Sequence, residues 1–141
     1  MGERQIDAEV VAKALALAHT LDLRPCGSGT CITPFPQTQA LFEPLLRPYF
    51  PGRWTRAMVV GLWPSQQIVG HTDPPIQGFR THIPLDVNEG CWAFYDGLWL
   101  QPMVGHCYVM DPTKFHGAVN WGHTVRLHLA IDQERDVNAN I

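Results

Sequence analysis

With 141 residues, 45% of them hydrophobic and 16% charged, the chain is long enough to bury one core and too short for a second domain. A formal net charge of −3, with ten Lys and Arg scattered singly, excludes the field that holds a phosphate backbone, so no nucleic-acid partner is expected. No stretch approaches membrane-spanning length, and Met1 to Asp7 carries neither the apolar run of a signal peptide nor a myristoylation pattern; no membrane association and a cytoplasmic location follow as expectations.

Ile6, Val10, Val11, Ala14, Leu17 and Ala18 recur at three- and four-residue intervals and predict an amphipathic helix over 6 to 20, packed as a support on a sheet. From Arg24 to Gln37 the composition turns to Pro, Gly, Ser, Thr and Cys, which reads as a loop wrapping the domain. A short helix is expected near 38 to 46, ended by Pro48 and Pro51. Beyond Pro51 the texture is β-rich, broken by Pro, Gly, Asn and Asp. Strands are predicted near 56–62, 66–71, 78–84, 91–95, 98–101, 106–110, 115–119 and 124–131. Asp96-Gly97 supplies a tight hairpin turn, and Gly105 and Asp111-Pro112 mark further corners. About eight such strands predict a mainly β fold, a double-stranded β-helix or jelly roll. The chain reads as a single domain over 1–141, with helical support over about 5–50, the jelly-roll core over about 55–132 and a polar tail over 133–141.

Cys26, Cys31, Cys91 and Cys107 are spaced too irregularly for a zinc ribbon. They are expected as free thiols, Cys91 and Cys107 as strand packing, with a Cys26–Cys31 pairing left open.

Two strands carry polar pairs on one face. Arg126 and His128 alternate with Val125, Leu127, Leu129 and Ile131, and Arg80 and His82 alternate with Phe79, Thr81 and Ile83. An Arg/His stripe in so apolar a setting predicts a wet or ligand-filled interior. Upstream stands His71-Thr72-Asp73, with His116 following His71 by 45 residues and Arg126 ten residues later. Residues i and i+2 of a strand point the same way, so His71 and Asp73 can grip one ion, and His116 completes two imidazoles and one carboxylate. That donor set leaves open positions on ferrous iron, as oxygenases require. Arg126 offers the fixed fork of donors that suits the far carboxylate of a 2-oxoacid. An H-x-D triplet alone arises often by chance, so the weight rests on the four residues together. Trp63, Trp92 and Trp121 either wall the pocket or belong to the core.

The segments His71-Thr72-Asp73-Pro74-Pro75, Arg80-Thr81-His82-Ile83-Pro84-Leu85, Phe115-His116-Gly117-Ala118-Val119-Asn120 and Arg126-Leu127-His128-Leu129-Ala130-Ile131-Asp132 together resemble the aspartyl/asparaginyl β-hydroxylase family of Fe(II)/2-oxoglutarate-dependent oxygenases. The resemblance spans about residues 56 to 132. It implies that His71 and His116 bind Fe(II), that Arg126 clamps the distal carboxylate of the cosubstrate 2-oxoglutarate, and that Arg80 and His82 lie beside its metal-proximal end. O2 is the implied oxidant. The peptide-modifying animal branch has glycine where this chain has Asp73, whereas bacterial relatives that hydroxylate free amino acids such as proline keep the carboxylate. Asp73 is therefore the favoured third ligand, with Asp86 the alternative. A serine that helps hold the cosubstrate in the animal enzymes has no counterpart: its place falls near Val60, with Ser65 further on.

The expected activity is hydroxylation of an aspartyl or asparaginyl residue or of a free amino acid, the partner being a peptide or small molecule. A cupin-like metal or small-molecule binding domain without turnover is the alternative, and a non-oxidative cupin enzyme using His82 or His128 as general base a third reading. Substrate identity and oligomeric state stay open.

Overall fold

The computed structural model describes residues 3–23, 30–32, 36–76 and 78–134. In chain order the elements are β1 (Glu3–Gln5), α1 (Ala8–Ala18), β2 (Thr30–Ile32), α2 (Gln37–Leu46), β3 (Trp54–Leu62), β4 (Gln67–His71), β5 (Phe79–Asp86), β6 (Cys91–Tyr95), β7 (Leu98–Leu100), β8 (His106–Met110), β9 (His116–Asn120) and β10 (Arg126–Gln133). Their ladders are antiparallel and form two sheets, in the orders β1-β8-β5-β10-β3-β2 and β4-β9-β6-β7. The fold is the expected jelly roll, with four of the eight predicted strands in each sheet.

Each helix is amphipathic and buries the face its spacing predicts: Val11, Ala14 and Ala18 on α1, and Thr38, Phe42 and Leu46 on α2. These pack with Trp54, Ala57, Val59, Ile83, Leu85, Leu127, Leu129 and Ile131 into one cluster on the outer face of the large sheet. The apolar alternates of β3, β5 and β10 thus meet the helices, which leaves the opposite alternates facing the small sheet. Between the sheets packing is sparse. Met58, Val60, Leu62, Ile68, Ala93, Ala118 and Ala130 make two small clusters there, and the three alanines leave room for a cavity.

Three features depart from the sequence reading. Strand β2 lies inside the predicted loop from Arg24 to Gln37 and pairs with β3 over Thr30↔Leu62 to Ile32↔Val60. Strand β1 is likewise unforeseen; runs of three residues are too short to show a period of two. Strand β10 extends to Gln133, whose buried amide donates to the Phe50 and Pro51 carbonyls at 3.3 and 2.8 Å. The polar tail therefore starts later than predicted, and residues 135–141 fall outside those described, as does the Cys26–Cys31 pairing. Cys91 and Cys107 are free and buried, and burial pushes the Cys107 thiol up to about 12, which makes it inert packing. Asp96 and Gly97, at φ 48° and 86°, form the predicted hairpin turn between β6 and β7. Among the described residues no helix is long and apolar enough to cross a membrane.

Candidate metal centre and cavity

The small sheet sets the candidate metal-ligating residues by register. His71, the last residue of β4, stands directly opposite His116, the first of β9. Their neighbours Ile68 and Ala118 are also paired, so three steps on β4 match two on β9. This bulge has a consequence for direction. Ile68 faces the cavity, and without the extra residue His71, three positions on, would face away. The bulge turns it inward, beside His116. Gly117 is required opposite: a Cβ there would stand 2.6 Å from the Ile68 carbonyl oxygen and 2.7 Å from the Phe94 ring.

Both imidazoles are oriented the same way. Nδ1 of His71 lies 2.7 Å from the Val69 carbonyl, and Nδ1 of His116 lies 2.7 Å from the Lys114 carbonyl. A carbonyl only accepts, so each Nδ1 carries the proton and each Nε2 presents a lone pair. Both Nε2 atoms face Asp73, at 3.3 Å from Oδ1 for His71 and 3.5 Å from Oδ2 for His116. Donor atoms of His71, Asp73 and His116 all lie within 4.8 Å of one another. Asp73 follows β4 and is pinned by its backbone N–H donating to the Pro112 carbonyl at 2.9 Å. The three expected ligands therefore converge. His116 sits on the neighbouring strand of the same sheet as His71. Asp86 lies at the far end of β5 opposite Leu127 and does not line the cavity.

The large sheet orders the rest of the cavity in rows. Arg56, Asp132, Arg80 and Met110 form the outermost row; Met58, Ala130, His82 and Tyr108 form the next; then Val60 with His128, and Leu62 with Arg126. The cavity holds about 460 Å³. Arg80 grips both oxygens of Asp132, at 2.7 and 3.0 Å, and reaches Asp73 Oδ2 at 3.1 Å. Asp132 thus holds the arginine that holds the Asp73 carboxylate. Replacing Arg80 by Met leaves Asp132 buried without its partner, at a cost of about 3–5 kcal/mol. We expect a clear fall in thermal midpoint and a 10- to 100-fold weaker metal affinity by metal titration, the size of a supporting-shell effect.

At the inner end Arg126 is 3% exposed. Its guanidinium lies against the ring nitrogens of His128, at 3.2 and 2.8 Å, and beside the Tyr108 hydroxyl, but its Nη1 has no hydrogen-bond partner among the described residues. Burial pulls its pKa down, and none of the groups raising it is a carboxylate. His82 Nδ1 is also buried without a partner. A buried cation that faces no acid among the described residues, next to an orphaned imidazole nitrogen, leaves a place that an anion would satisfy.

Burial, reinforced by the Arg126 charge, holds His82 and His128 well below the usual histidine range, so both rings are neutral in the fold. The unfolded chain takes up these protons below about pH 6.5 and the native state does not, so the stabilisation is complete above that pH and lost as the solution acidifies. Thermal melts from pH 7.5 to 5 should show stability falling by up to about 1.4 kcal/mol per pH unit for each ring. His128→Gln should flatten that slope; an unchanged slope would show that these rings are not its source.

The walls come from aromatic residues that the sequence reading did not single out: Phe94, Tyr95 and Tyr108 line the cavity. Trp63, Trp92 and Trp121 do not, and Trp121 is 66% exposed. Asp132 was also missed, although it lies in phase with Arg126 and His128 on β10.

The model of the aspartyl/asparaginyl beta-hydroxylase family matches residues 30–136. No curated protein matches the sequence. In fold the chain is similar to an oxidoreductase of the 2OG-Fe(II) oxygenase family from Burkholderia pseudomallei, at 16% identity and a TM-score of 0.70, over 96% of this chain and 82% of that one. It is similar to a Pseudomonas putida prolyl-4-hydroxylase at 15% identity and a TM-score of 0.65, over 96% and 92% of the two chains. The non-heme alpha-ketoglutarate-dependent epimerase SnoN from nogalamycin biosynthesis is similar at 14% identity and a TM-score of 0.67, over 95% and 79%.

Proposed function

This chain belongs to the aspartyl/asparaginyl β-hydroxylase family and is an oxygenase, and on that premise we propose that it uses Fe(II), 2-oxoglutarate and O2 to hydroxylate an aspartyl or asparaginyl residue or a free amino acid. One observation carries the reading: a His/Asp/His donor set and a buried guanidinium without an acid open on the same cavity.

His71, Asp73 and His116 would hold the metal through two neutral imidazoles and one carboxylate, a set that suits ferrous iron and leaves coordination positions free. Iron so held would supply the activation of dioxygen that is coupled to oxidative decarboxylation of 2-oxoglutarate. The chain's own contributions are positional and electrostatic. Carbonyls of Val69 and Lys114 keep both Nδ1 atoms protonated, so neither ring can rotate its lone pair away. Arg126 would take the distal carboxylate of 2-oxoglutarate with its unpartnered Nη1, and Tyr108 stands beside that position. His82, neutral and with a free Nδ1, is proposed at the metal-proximal end of the cosubstrate. Arg80 is assigned to the same end and acts there through Asp73, since Asp132 occupies the other side of its fork. Phe94, Met58, Ile68 and Ala118 exclude water from the reacting space.

Anaerobic addition of Fe(II) and then 2-oxoglutarate to the full chain should produce the visible charge-transfer band of the chelate, and admitting oxygen should release succinate. Both signals are expected. Metal binding with neither would overturn the dioxygenase reading in favour of a cupin-like binding domain.

A further inference from the structure

We propose that Tyr95 is a positioning residue for the metal centre: its hydroxyl holds the turn that orients Asp73 and His116, so metal affinity depends on a group outside the ligand set. This rests on the metal site of the dioxygenase reading, independently of turnover, and extends it to the segment behind the ligands.

The segment from 111 to 115 joins β8 to β9. It is folded on itself: Asp111 Oδ1 accepts from the Thr113 backbone N–H at 3.0 Å and from the Thr113 hydroxyl at 2.7 Å, and the Lys114 N–H donates to the Asp111 carbonyl at 3.1 Å. Two carbonyls of this turn are directed at the ligands. That of Pro112 accepts from the Asp73 N–H at 2.9 Å, and that of Lys114 accepts from His116 Nδ1 at 2.7 Å. The third ligand is reached by packing, since a Cβ on Gly70, the residue before His71, would overlap the Phe115 ring. One short segment therefore bears on His71, Asp73 and His116 together.

Tyr95 fixes the start of that segment. It stands opposite His116 in the ladder of β6 and β9, lines the cavity, and its hydroxyl oxygen accepts the Asp111 N–H at 2.9 Å. One residue on, the Asp96 N–H donates to the Phe115 carbonyl at 2.9 Å, so both ends of the segment are tied to the end of β6. Pro112 makes the connection stiff. Its ring locks φ, so a displacement at Asp111 carries the Pro112 carbonyl with it instead of being absorbed by rotation about that bond. A tyrosine that merely fastened a loop would leave the metal indifferent to its hydroxyl. Here a carbonyl that turns away frees the His116 ring from the orientation that presents Nε2. Asp111 is exposed, so an N–H released by the phenol finds water and the fold loses little. The effect belongs in metal binding, not in stability.

The test titrates the full chain, without cosubstrate and anaerobically, with Co(II), whose visible bands report ligand geometry independently of activity. Tyr95→Phe removes the hydroxyl and keeps the ring. We expect Co(II) to bind this variant about 10- to 100-fold more weakly than the wild type, with altered bands at saturation and an apo thermal midpoint within a few degrees. Asp111→Ala, on the exposed turn, should weaken the metal comparably, whereas Asp111→Asn keeps Oδ1 for Thr113 and should bind within about threefold of the wild type. Because both changes act through one turn, Tyr95→Phe combined with Asp111→Ala should weaken binding by less than the product of the two. Wild-type affinity and bands in Tyr95→Phe overturn the proposal, as do a loss of affinity matched by collapse of the apo fold and two effects that multiply in full. A wild type that takes up no Co(II) overturns the metal site of the dioxygenase reading and this inference with it. Iron uptake without succinate release overturns the dioxygenase reading alone.

Discussion

Arg126→Met should yield a protein that is more stable without ligand and has lost its hold on 2-oxoglutarate. The opposed signs follow from one fact: Arg126 is 3% exposed and its guanidinium has no carboxylate partner among the described residues. Without an anion the fold bears the desolvation of that charge, and an apolar side chain of similar length removes it. Replacing buried charges by hydrophobic groups stabilises proteins by up to about 4 kcal/mol. Here the His128 and Tyr108 contacts are lost as well, so about 1–3 kcal/mol is expected, seen as a rise of several degrees in the thermal midpoint. Removing one partner of a buried charge pair weakens binding by about 2–5 kcal/mol, which corresponds to a dissociation constant for 2-oxoglutarate raised roughly 30- to 4,000-fold. The wild type should therefore melt higher when 2-oxoglutarate is added to the metal-loaded protein, and the variant should not. A variant that is both less stable and still saturable by 2-oxoglutarate would remove Arg126 from the role assigned to it.

His116→Ala should abolish iron retention and succinate release while leaving the apo fold almost unchanged. The His116 side chain is 13% exposed and its polar contacts are the Lys114 carbonyl at Nδ1 and the Asp73 carboxylate at Nε2, so its loss opens little of the interior. Strand β9 stays in register through the Gly117 to Asn120 segment, which pairs with β6. The metal loses one of three protein ligands, and affinity should fall by more than the 10- to 100-fold typical of supporting-shell changes. Anaerobic metal titration followed by a melt distinguishes the cases. The metal-induced rise in midpoint should vanish in the variant, and the apo midpoints should agree within a few degrees. Retained stoichiometric iron would show that the ion sits elsewhere.

Much of this was legible because strands alternate. Arg126 and His128 against Leu127, Leu129 and Ile131 announced which face of β10 met the core and which met an interior cavity, and the packing follows that division. His71, Asp73 and His116 could be proposed as a set because imidazoles and carboxylates have few other reasons to gather. What stayed hidden depends on pairing. The bulge between Ile68 and His71 leaves no mark in composition, yet it decides which way His71 points. Phe94, Tyr95 and Tyr108 became the walls, and the tryptophans did not, because strand order rather than residue type chose the neighbours. Asp132 belongs to the same phase as Arg126 but acts on Arg80 in the adjacent strand, a relation visible only once β5 and β10 are aligned.

All eight residues of β10 are buried, with the helices against one side and the cavity against the other. A slip of one position on either neighbour would thrust Arg126, His128 and Asp132 among leucines and turn Leu127, Leu129 and Ile131 toward the cavity and its His/Asp/His set. The desolvation of two charges alone rivals the whole margin, about 5–15 kcal/mol, by which a domain of this size stays folded. Misthreaded yet compact molecules should therefore be absent from a preparation. The fraction of chains able to take up metal and cosubstrate should equal the fraction that melts cooperatively, so that a titration of binding sites doubles as an assay of correct folding.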